Sequence, residues 1–339
     1  MKIFKAKQIQ EIDKYTIEHE PIESIELMER ASQTIAEWII KKFDPNSNFT
    51  FIVGSGNNGG DALAIARIIN SIGYPCEIFF LNFSSKISTD CQINLNRIQN
   101  ETSIKINKIN NIKEFTLKDK KTIIIDGIFG TGLSKPVKKL PAEIINYINN
   151  CENKVIAIDI PSGLFGEDNS ENNGAIVKAD YTLSFEFPKL SFFFDLYLSF
   201  LGEIFILPID LHKDIINNKK TNFHYTNQSE IQNIIKPRKK SDHKGIYGHA
   251  LLIAGSLGKI GANILASKSC MRTGVGLLTT HTPQCGYTSI QSSIPEAMVS
   301  IDNNTNYLSN CINTQKYNAV GIGPGLDKKK ESVEAFTEI

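Results

Sequence analysis

The sequence predicts an α/β protein whose first domain is a doubly wound, mostly parallel sheet. Two observations lead to this fold class. Short apolar runs alternate with helical patterns along the chain, which is the order that parallel strands with crossover helices produce. The runs TIIID (122–126) and VIAIDI (155–160) are continuously apolar, as expected for strands that helices cover on both faces.

Helices open the chain over 7–19 and 22–42, where apolar residues recur at helical spacing and Asp44-Pro45 closes the second helix. Alternation follows. The apolar runs predict strands at 49–53, 76–82, 104–109, 122–126, 155–160, 181–185 and 203–209. The helical patterns between them lie at about 60–72, 88–99 and 140–149.

A second domain is predicted because the pattern loosens over residues 211–240, which are polar and rich in lysine and asparagine. We place the boundary near 220–230, with domains over 1–222 and 223–339. A second α/β pattern then begins, with strands at 250–256, 276–283 and 318–325 and a helix at about 261–273.

Composition argues against several classes of partner. The 339 residues carry a net charge of +1, which gives no reason to expect nucleic acid or an anionic membrane as partner. No apolar run approaches the roughly 20 residues of a membrane span, and the first residues lack a secretory signal. The six cysteines form no C-x-x-C pair, which indicates a reducing compartment and predicts a cytoplasmic location.

The loop GSGNNGGD (54–61) has the Gly-x-Gly-x-x-Gly spacing of a dinucleotide-binding turn. Its context differs from that motif. Asp61 at the start of the following helix would cap the helix amides itself and would repel a phosphate placed on them. Asn82 ends the second strand, where a ribose-binding acid is expected. An NAD-dependent dehydrogenase is therefore the weaker interpretation.

Two further strands end in unusual loops, DGIFGTGLSKP (126–136) and DIPSGL (159–164). Ligands of an open parallel sheet bind beyond the carboxyl ends of its strands, so the three loops together predict a binding cleft. Asn58, Asp126 and Ser162 offer oxygen donors that suit a hard cation. For the first loop alone, asparagines that satisfy a tight turn are the competing interpretation.

Asp126 is the strongest candidate for proton transfer. It ends an apolar strand, and partial burial would raise its pKa towards neutrality. A carboxylate that caps the next turn or binds a cation is the competing interpretation. Lys189, in FPKL, would either neutralise a phosphate or be a solvated surface charge.

Five segments together resemble the NAD(P)H-hydrate epimerase family, the YjeF N-terminal domain: ELMERA (26–31), VGSGNNGGDALAIAR (53–67), DGIFGTGL (126–133), AIDIPSGL (157–164) and FPKL (187–190). Ala62 stands where the family usually has glycine. The resemblance implies a Rossmann-like fold and interconversion of the R and S forms of NADHX and NADPHX. In these molecules water has been added across C5–C6 of the reduced ring. The nicotinamide nucleotide would thus be a substrate.

The resemblance also implies site residues. The substrate would contact Asn57, Asn58, Gly59, Gly60, Asp61, Gly130, Thr131, Gly132, Leu133, Ser134, Lys135, Pro136 and Asp159. A potassium ion would be held by Asn58, Asp126 and Ser162. Asp126 would also be the acid/base at the C6 hydroxyl, and epimerisation through loss and return of hydroxide, assisted by the ring nitrogen, is the alternative mechanism.

The segments 243–283 and GIGPGL (321–326) resemble the beginning of the ADP-dependent NAD(P)H-hydrate dehydratase, a ribokinase-like domain. The resemblance implies a second activity, dehydration of the S form, with ADP and Mg²⁺. It places Ala262 and Gly325 at the hydrate, whereas small residues that permit helix–strand packing are the alternative. The family's phosphate loop and N-x-G-x-G-D motif do not occur before Ile339. We therefore expect no dehydratase activity from this chain alone, and exposed apolar edges on its second sheet.

Two other properties stay open at this point. A non-catalytic nucleotide-binding scaffold is the alternative from another functional class, although Asn58, Asp126 and Asp159 favour an enzyme because a scaffold needs none of them. A homodimer or higher homo-oligomer would form if the apolar stripe over residues 25–39 were left uncovered. Burial of that stripe in the chain's own core is the competing expectation.

Overall fold

The structure, a computed structural model, describes every residue of the chain except Lys118, Lys236, Cys311 and Ile339. The chain divides into two compact units, Met1–Ile231 and Gln232–Ile339. Each unit contains a parallel sheet, which confirms the predicted α/β fold class.

The elements of the first unit follow the predicted alternation. Its strands are β1 (Lys2–Ile3), β2 (Phe49–Val53), β3 (Cys76–Leu81), β4 (Lys105–Ile109), β5 (Ile123–Gly127), β6 (Val155–Ile158), β7 (Tyr181–Phe185), β8 (Glu203–Leu207) and β9 (Phe223–His224). Its helices are α1 (Ala6–His19), α2 (Ser24–Lys42), α3 (Asn57–Ser71), α4 (Thr89–Glu101), α5 (Lys139–Asn149), α6 (Leu198–Leu201) and α7 (Lys213–Asn218). Helix α8 (Gln228–Ile234) contains the division between the units.

The main sheet of this unit has the order β4-β3-β2-β5-β6-β7-β8. All neighbouring strands in it are parallel. The chain order reverses at β2, since β3 and β4 lie on one side of it and β5 to β8 on the other. Val53 pairs with Gly127, so the carboxyl ends of β2 and β5 are neighbours at this switch point. A crevice at such a point is where α/β sheets bind ligands.

Helices cover both faces of the sheet. Ile35 of α2 and Leu63 of α3 pack on one face together with Phe51. Ile144 of α5 packs on the other face together with Ile52. Both strand residues are fully buried, and burying such a side chain stabilises the fold by about 1.5–3 kcal/mol. Burial on both faces explains why the central strands are continuously apolar.

The apolar stripe of α2 is buried within the chain. Ile35 and Ile39 are fully buried, and the Trp38 ring packs edge-on against the rings of Tyr181 and Phe205, with centroids 5.3 and 5.0 Å away. The stripe is therefore buried in the chain's own core, as the competing expectation stated.

The second unit contains a smaller sheet. Its strands are β10 (His249–Ile253), β11 (Leu277–Thr282), β12 (Met298–Ile301) and β13 (Ala319–Ile322), and its helices are α9 (Ile260–Arg272), α10 (Tyr287–Ser293) and α11 (Lys330–Thr337). All neighbours in the order β12-β11-β10-β13 are parallel. The edge strand β13 is exposed along its length, including Val320 and Ile322. Apolar residues thus lie at one edge of the second sheet.

Among the residues that the structure describes, no helix has the length and apolar character needed to cross a bilayer. The described cysteines, Cys76, Cys91, Cys151, Cys270 and Cys285, are all free. Cys311 lies outside the described residues.

Candidate functional site

A cleft of about 490 Å³ lies at the switch point of the first sheet. Residues from all three predicted loops line it: Asn57, Asn58, Asp61, Gly130, Thr131, Gly132, Leu133 and Asp159. Another cavity of the first unit, about 350 Å³ around Phe194 and Tyr197, contains no predicted site residue. The structure therefore brings the three strand-end loops together in one cleft.

The first loop differs from the prediction at the start of its helix. Helix α3 begins at Asn57, not near residue 60, and its N-cap is Gly56, which makes no side-chain cap bond. Asp61 therefore lies in the second turn, and the prediction that Asp61 caps the helix amides is wrong. Gly56 and Asn57 line the cleft, so the uncapped amino end of α3 borders it. Uncapped helix amides bind anions such as phosphate.

Two glycines of this loop serve close packing. A Cβ on Gly59 would lie 2.0 Å from the carbonyl oxygen of Gly54, and one on Gly60 would lie 2.8 Å from the Met28 sulfur. Neither glycine is among the residues that line the cleft. They allow α3 to lie close to the carboxyl end of β2 and to α2.

Asp126 lies behind the wall of the cleft, fully buried at the end of β5. The backbone N–H of Ser162 donates to its Oδ2 at 2.7 Å and the Ser162 hydroxyl to its Oδ1 at 2.5 Å. Ile128 N–H adds a third bond to Oδ1 at 3.3 Å. Burial raises the pKa of Asp126 to about 6, although the hydrogen bonds from Ser162 act in the opposite direction.

The three predicted cation ligands meet around Phe129. Its carbonyl oxygen accepts a hydrogen bond from the Asn58 amide at 3.0 Å and lies 3.1 Å from the Ser162 hydroxyl oxygen. Ser162 in turn bonds Asp126. This oxygen set, with one carboxylate, suits a hard cation rather than a transition metal. Across the described residues, no group of three or more His, Cys, Asp or Glu side chains is arranged to hold a metal ion.

Asp159 and Lys189 form a buried ion pair at the cleft. Lys189 Nζ lies 2.7 Å from Asp159 Oδ1, and the lysine side chain is only 2% exposed. The Lys189 ammonium also donates to the carbonyl oxygens of Phe187 at 3.2 Å and Phe185 at 3.4 Å. Lys189 is therefore not the solvated surface charge that one interpretation of the sequence expected.

The backbone at Asp159 is unusual. Its φ of 64° is in the left-handed region, and Ile160 N–H bonds the Ile158 carbonyl oxygen across it at 2.7 Å. Such tight turns are strained and occur where the surrounding structure enforces them. Here the turn directs the Asp159 carboxylate towards Lys189 and the cleft.

Two other carboxyl groups of the cleft have raised pKa values. Burial, with a smaller effect from the Asp159 charge, raises the pKa of Asp13 to about 7. Burial also raises the pKa of Asp61 well above its usual range, and Asp159, Asp13 and Asp90 add to the effect. Near neutral pH the cleft therefore carries less negative charge than its three lining aspartates suggest.

Sequence reasoning missed several residues of the cleft: Ile9, Gln10, Asp13, Phe83, Ser84, Phe185, Glu186 and Lys189 as a lining residue. Phe83 and Ser84 follow β3, and Glu186 follows β7, so the strand-end rule applied to every strand would have found them. Asp13 lies on α1, and nothing in its local pattern indicates a site. Ser134, Lys135 and Pro136, which were predicted, do not line the cleft.

Ala262 and Gly325 are neighbours in the second unit. A Cβ on Gly325 would lie 3.2 Å from the Ala262 Cβ, and the Ser256 hydroxyl donates to the Gly325 carbonyl oxygen at 2.7 Å. Gly325 has a φ of 77°, which only glycine adopts without strain. Both residues follow the carboxyl ends of parallel strands, the edge where such sheets bind ligands.

Comparison with known proteins assigns both units to families. Residues 24–191 match the family described as YjeF-related protein N-terminus. Residues 250–339 match the family described as NAD(P)H-hydrate dehydratase. A crystal structure of the yeast protein ynu0 (YNL200c) superposes with a TM-score of 0.53 at 20% identity, covering 68% of this chain and 98% of the yeast chain, and so supports the fold.

Curated relatives agree with these families. The bifunctional NAD(P)H-hydrate repair enzyme Nnr of Dictyoglomus turgidum is 32% identical over 96% of this chain, and the match covers 65% of that enzyme. Nnr of Moorella thermoacetica is 27% identical over 100% of this chain and 66% of its own length. This chain thus spans about two thirds of the bifunctional relatives.

A shorter relative is covered almost completely. The NAD(P)H-hydrate epimerase of Oenococcus oeni is 32% identical over 61% of this chain and 96% of its own length. The chain therefore belongs to the NAD(P)H-hydrate epimerase family through its first part, and its residues 250–339 match the NAD(P)H-hydrate dehydratase family.

Proposed function

We propose that the first unit epimerises the R and S forms of NADHX and NADPHX in the cleft at the switch point of its sheet. One observation carries the proposal. In a chain of this family, the loop of Asn57–Asp61, the loop of Gly130–Leu133 and the buried Asp159–Lys189 pair converge on one cleft.

The cleft suits a nucleotide that enters as substrate. The uncapped amino end of α3 supplies amides for the phosphates. Because burial favours the neutral form of Asp61, that side chain repels a phosphate less than an ionised aspartate would. With the phosphates bound at the amino end of α3, the reduced ring would lie towards Asp159 and Lys189.

The reaction needs no redox partner. The lone pair of ring nitrogen N1 forms a C6=N1 bond while the C6–O bond breaks, and the hydroxyl leaves as water with a proton from an acid. Water then adds to the opposite face of C6, the C6=N1 pair returns to N1, and the proton goes back to the enzyme. The Asp159 carboxylate, held beside the ring by Lys189, stabilises the cationic ring that forms between the two steps.

Asn58, Asp126 and Ser162 would hold a potassium ion, which would supply positive charge to the loops around Phe129. The geometry of Asp126 favours this ligand role over the acid–base role, because its carboxyl is fully buried and both oxygens bond Ser162. A group that protonates the C6 hydroxyl has to face the cleft.

We propose that the second unit is related to enzymes that dehydrate the S form with ADP, and that Mg²⁺ would accompany the ADP. Ala262 and Gly325 would lie near the hydrate. The neighbouring positions of these two residues support that placement. ADP-dependent loss of S-NADHX on addition of the purified chain tests that relation. A cytoplasmic location and homo-oligomerisation stay predictions.

Epimer exchange tests the proposed function. Purified R-NADHX is incubated with the chain and followed by NMR or chromatography, and wild type is compared with Asp126→Ala. Wild type should exceed the spontaneous rate, and Asp126→Ala should be slower. Binding without faster exchange would favour the scaffold alternative, and hydride transfer to a common substrate would favour the dehydrogenase.

A further inference from the structure

Asp13 lines the cleft but belongs to none of the three strand-end loops. It lies on α1 with Ile9 and Gln10, which also line the cleft, and it precedes the segment 24–191 that matches the family. Ile12, fully buried against Leu27, Ile209 and other apolar residues, fixes this helix in place.

The Asp13 carboxyl has no partner within the described part of the chain. No hydrogen bond or ion pair to it occurs there, in contrast to Asp126 and Asp159, whose oxygens are bonded. The side chain is partly buried, so its polar atoms gain from a partner that enters the cleft. A substrate hydroxyl would be such a partner.

The charges around Asp13 favour its protonated form. The charged groups that face it are Asp159, Lys189 and Glu186 from the loops after β6 and β7, and Asp61 from α3. The one cation among them, Lys189, is already paired with Asp159 at 2.7 Å. Burial and the two like charges outweigh the effect of Lys189, and the pKa of Asp13 rises to about 7.

We propose that Asp13 is the general acid of the epimerisation, an inference that rests on the proposed function. The neutral carboxyl donates its proton to the C6 hydroxyl as the C6–O bond breaks, and water leaves. The Asp13 carboxylate then takes a proton from the water that adds to the other face of C6. Asp13 and the ion-paired Asp159 thus divide two tasks, proton transfer and stabilisation of the cationic ring, between two carboxyl groups in different surroundings.

The test is the pH dependence of epimer exchange with the full chain, corrected for the spontaneous rate. Wild type should lose activity as pH rises above about 7, because the acid must be protonated. Asp13→Asn keeps the size of the side chain but cannot donate that proton, so kcat should fall by about 100-fold or more while KM changes little, and the alkaline decline should disappear. Glu18→Gln, an exposed change on the same helix, is the matched control and should behave as wild type.

The outcomes separate the two proposals. A wild-type chain that does not exceed the spontaneous rate contradicts the proposed function itself. A wild type that is active, together with an Asp13→Asn variant of equal kcat and unchanged pH profile, overturns the role of Asp13 and leaves the function standing. If Asp13→Asn does not fold, the variant Asp13→Glu provides the test. Its alkaline loss of activity should occur at a different pH from that of wild type. An unshifted pH profile overturns the role of Asp13.

Discussion

Lys189 Nζ lies 2.7 Å from Asp159 Oδ1, and both side chains are largely removed from solvent. The pair joins the loop after β6 to the loop after β7. A buried ammonium is stable only when its charge is paired and its N–H groups are bonded, and the carbonyls of Phe185 and Phe187 complete that set. One ion pair therefore holds a wall of the cleft.

Removal of the cation should destabilise the fold. Lys189→Met keeps the length of the side chain but leaves the Asp159 carboxylate buried without an opposite charge, since the Phe185 N–H at 3.2 Å does not neutralise it. Such a loss costs about 3–5 kcal/mol. Urea denaturation measures this as a lower free energy of unfolding.

The double variant Lys189→Met with Asp159→Asn is the control. Asparagine tolerates the left-handed backbone at position 159 and carries no charge. The double variant should regain at least about half of the lost stability. A double variant that is no more stable than Lys189→Met would show that the charge on Asp159 is not the cause.

The glycines of the first loop give a matched pair of substitutions. Gly59→Ala should destabilise the fold by about 2 kcal/mol or more, because the added Cβ would lie 2.0 Å from the Gly54 carbonyl oxygen. Gly56→Ala should change stability by less than about 1 kcal/mol, since nothing lies within 4 Å of its added Cβ. Equal midpoints of thermal unfolding for the two variants would contradict the packing role of Gly59.

The raised pKa of Asp126 predicts a pH-dependent stability. The folded-state pKa of about 6 lies above the ordinary 3.8, so the folded state binds the proton more tightly. The stabilising contribution is complete below pH 3.8 and is lost as pH rises through 6. Between pH 5 and pH 8 this group should remove about 1 kcal/mol of stability.

Asp126→Asn isolates that contribution, because the titrations of Asp13 and Asp61 persist in the variant. Urea denaturation at both pH values in potassium-free buffer should show a smaller loss in the variant than in wild type. The same loss in both proteins would mean that Asp126 ionises normally in the folded chain.

Potassium should stabilise the chain through the oxygens around Phe129. At a potassium concentration of about ten times its dissociation constant, the gain is about 1.4 kcal/mol, which raises the thermal midpoint by a few degrees. Tetramethylammonium chloride at the same ionic strength is the control salt. Ser162→Ala should abolish the difference between the salts, and a variant that responds like wild type would place the ion elsewhere.

The sequence predicted the sheet well because burial on both faces leaves a clear local pattern. The strand over Phe49–Val53 has the predicted bounds, and the three loops meet because parallel strands end at one edge. The sequence motifs also placed Asn58, Asp126 and Ser162 near one another. Their chemical roles stay proposals.

The missed features depend on tertiary contacts. Helix α3 starts early because Gly59 fits under Gly54, a contact that no local pattern contains. Lys189 is buried because β7 lies beside β6, where Asp159 is available as partner. Asp13 reaches the cleft only because Ile12 anchors α1 in the core.

The most direct test of the account is epimer exchange of R-NADHX by wild type, Asp159→Asn and Asp195→Asn. Asp195 is exposed and does not line the cleft, so its variant controls for loss of an aspartate. Wild type and Asp195→Asn should exchange the epimers faster than the spontaneous rate, and Asp159→Asn should be slower than wild type by about 100-fold. Wild-type exchange at the spontaneous rate, or equal rates for all three proteins, would contradict it.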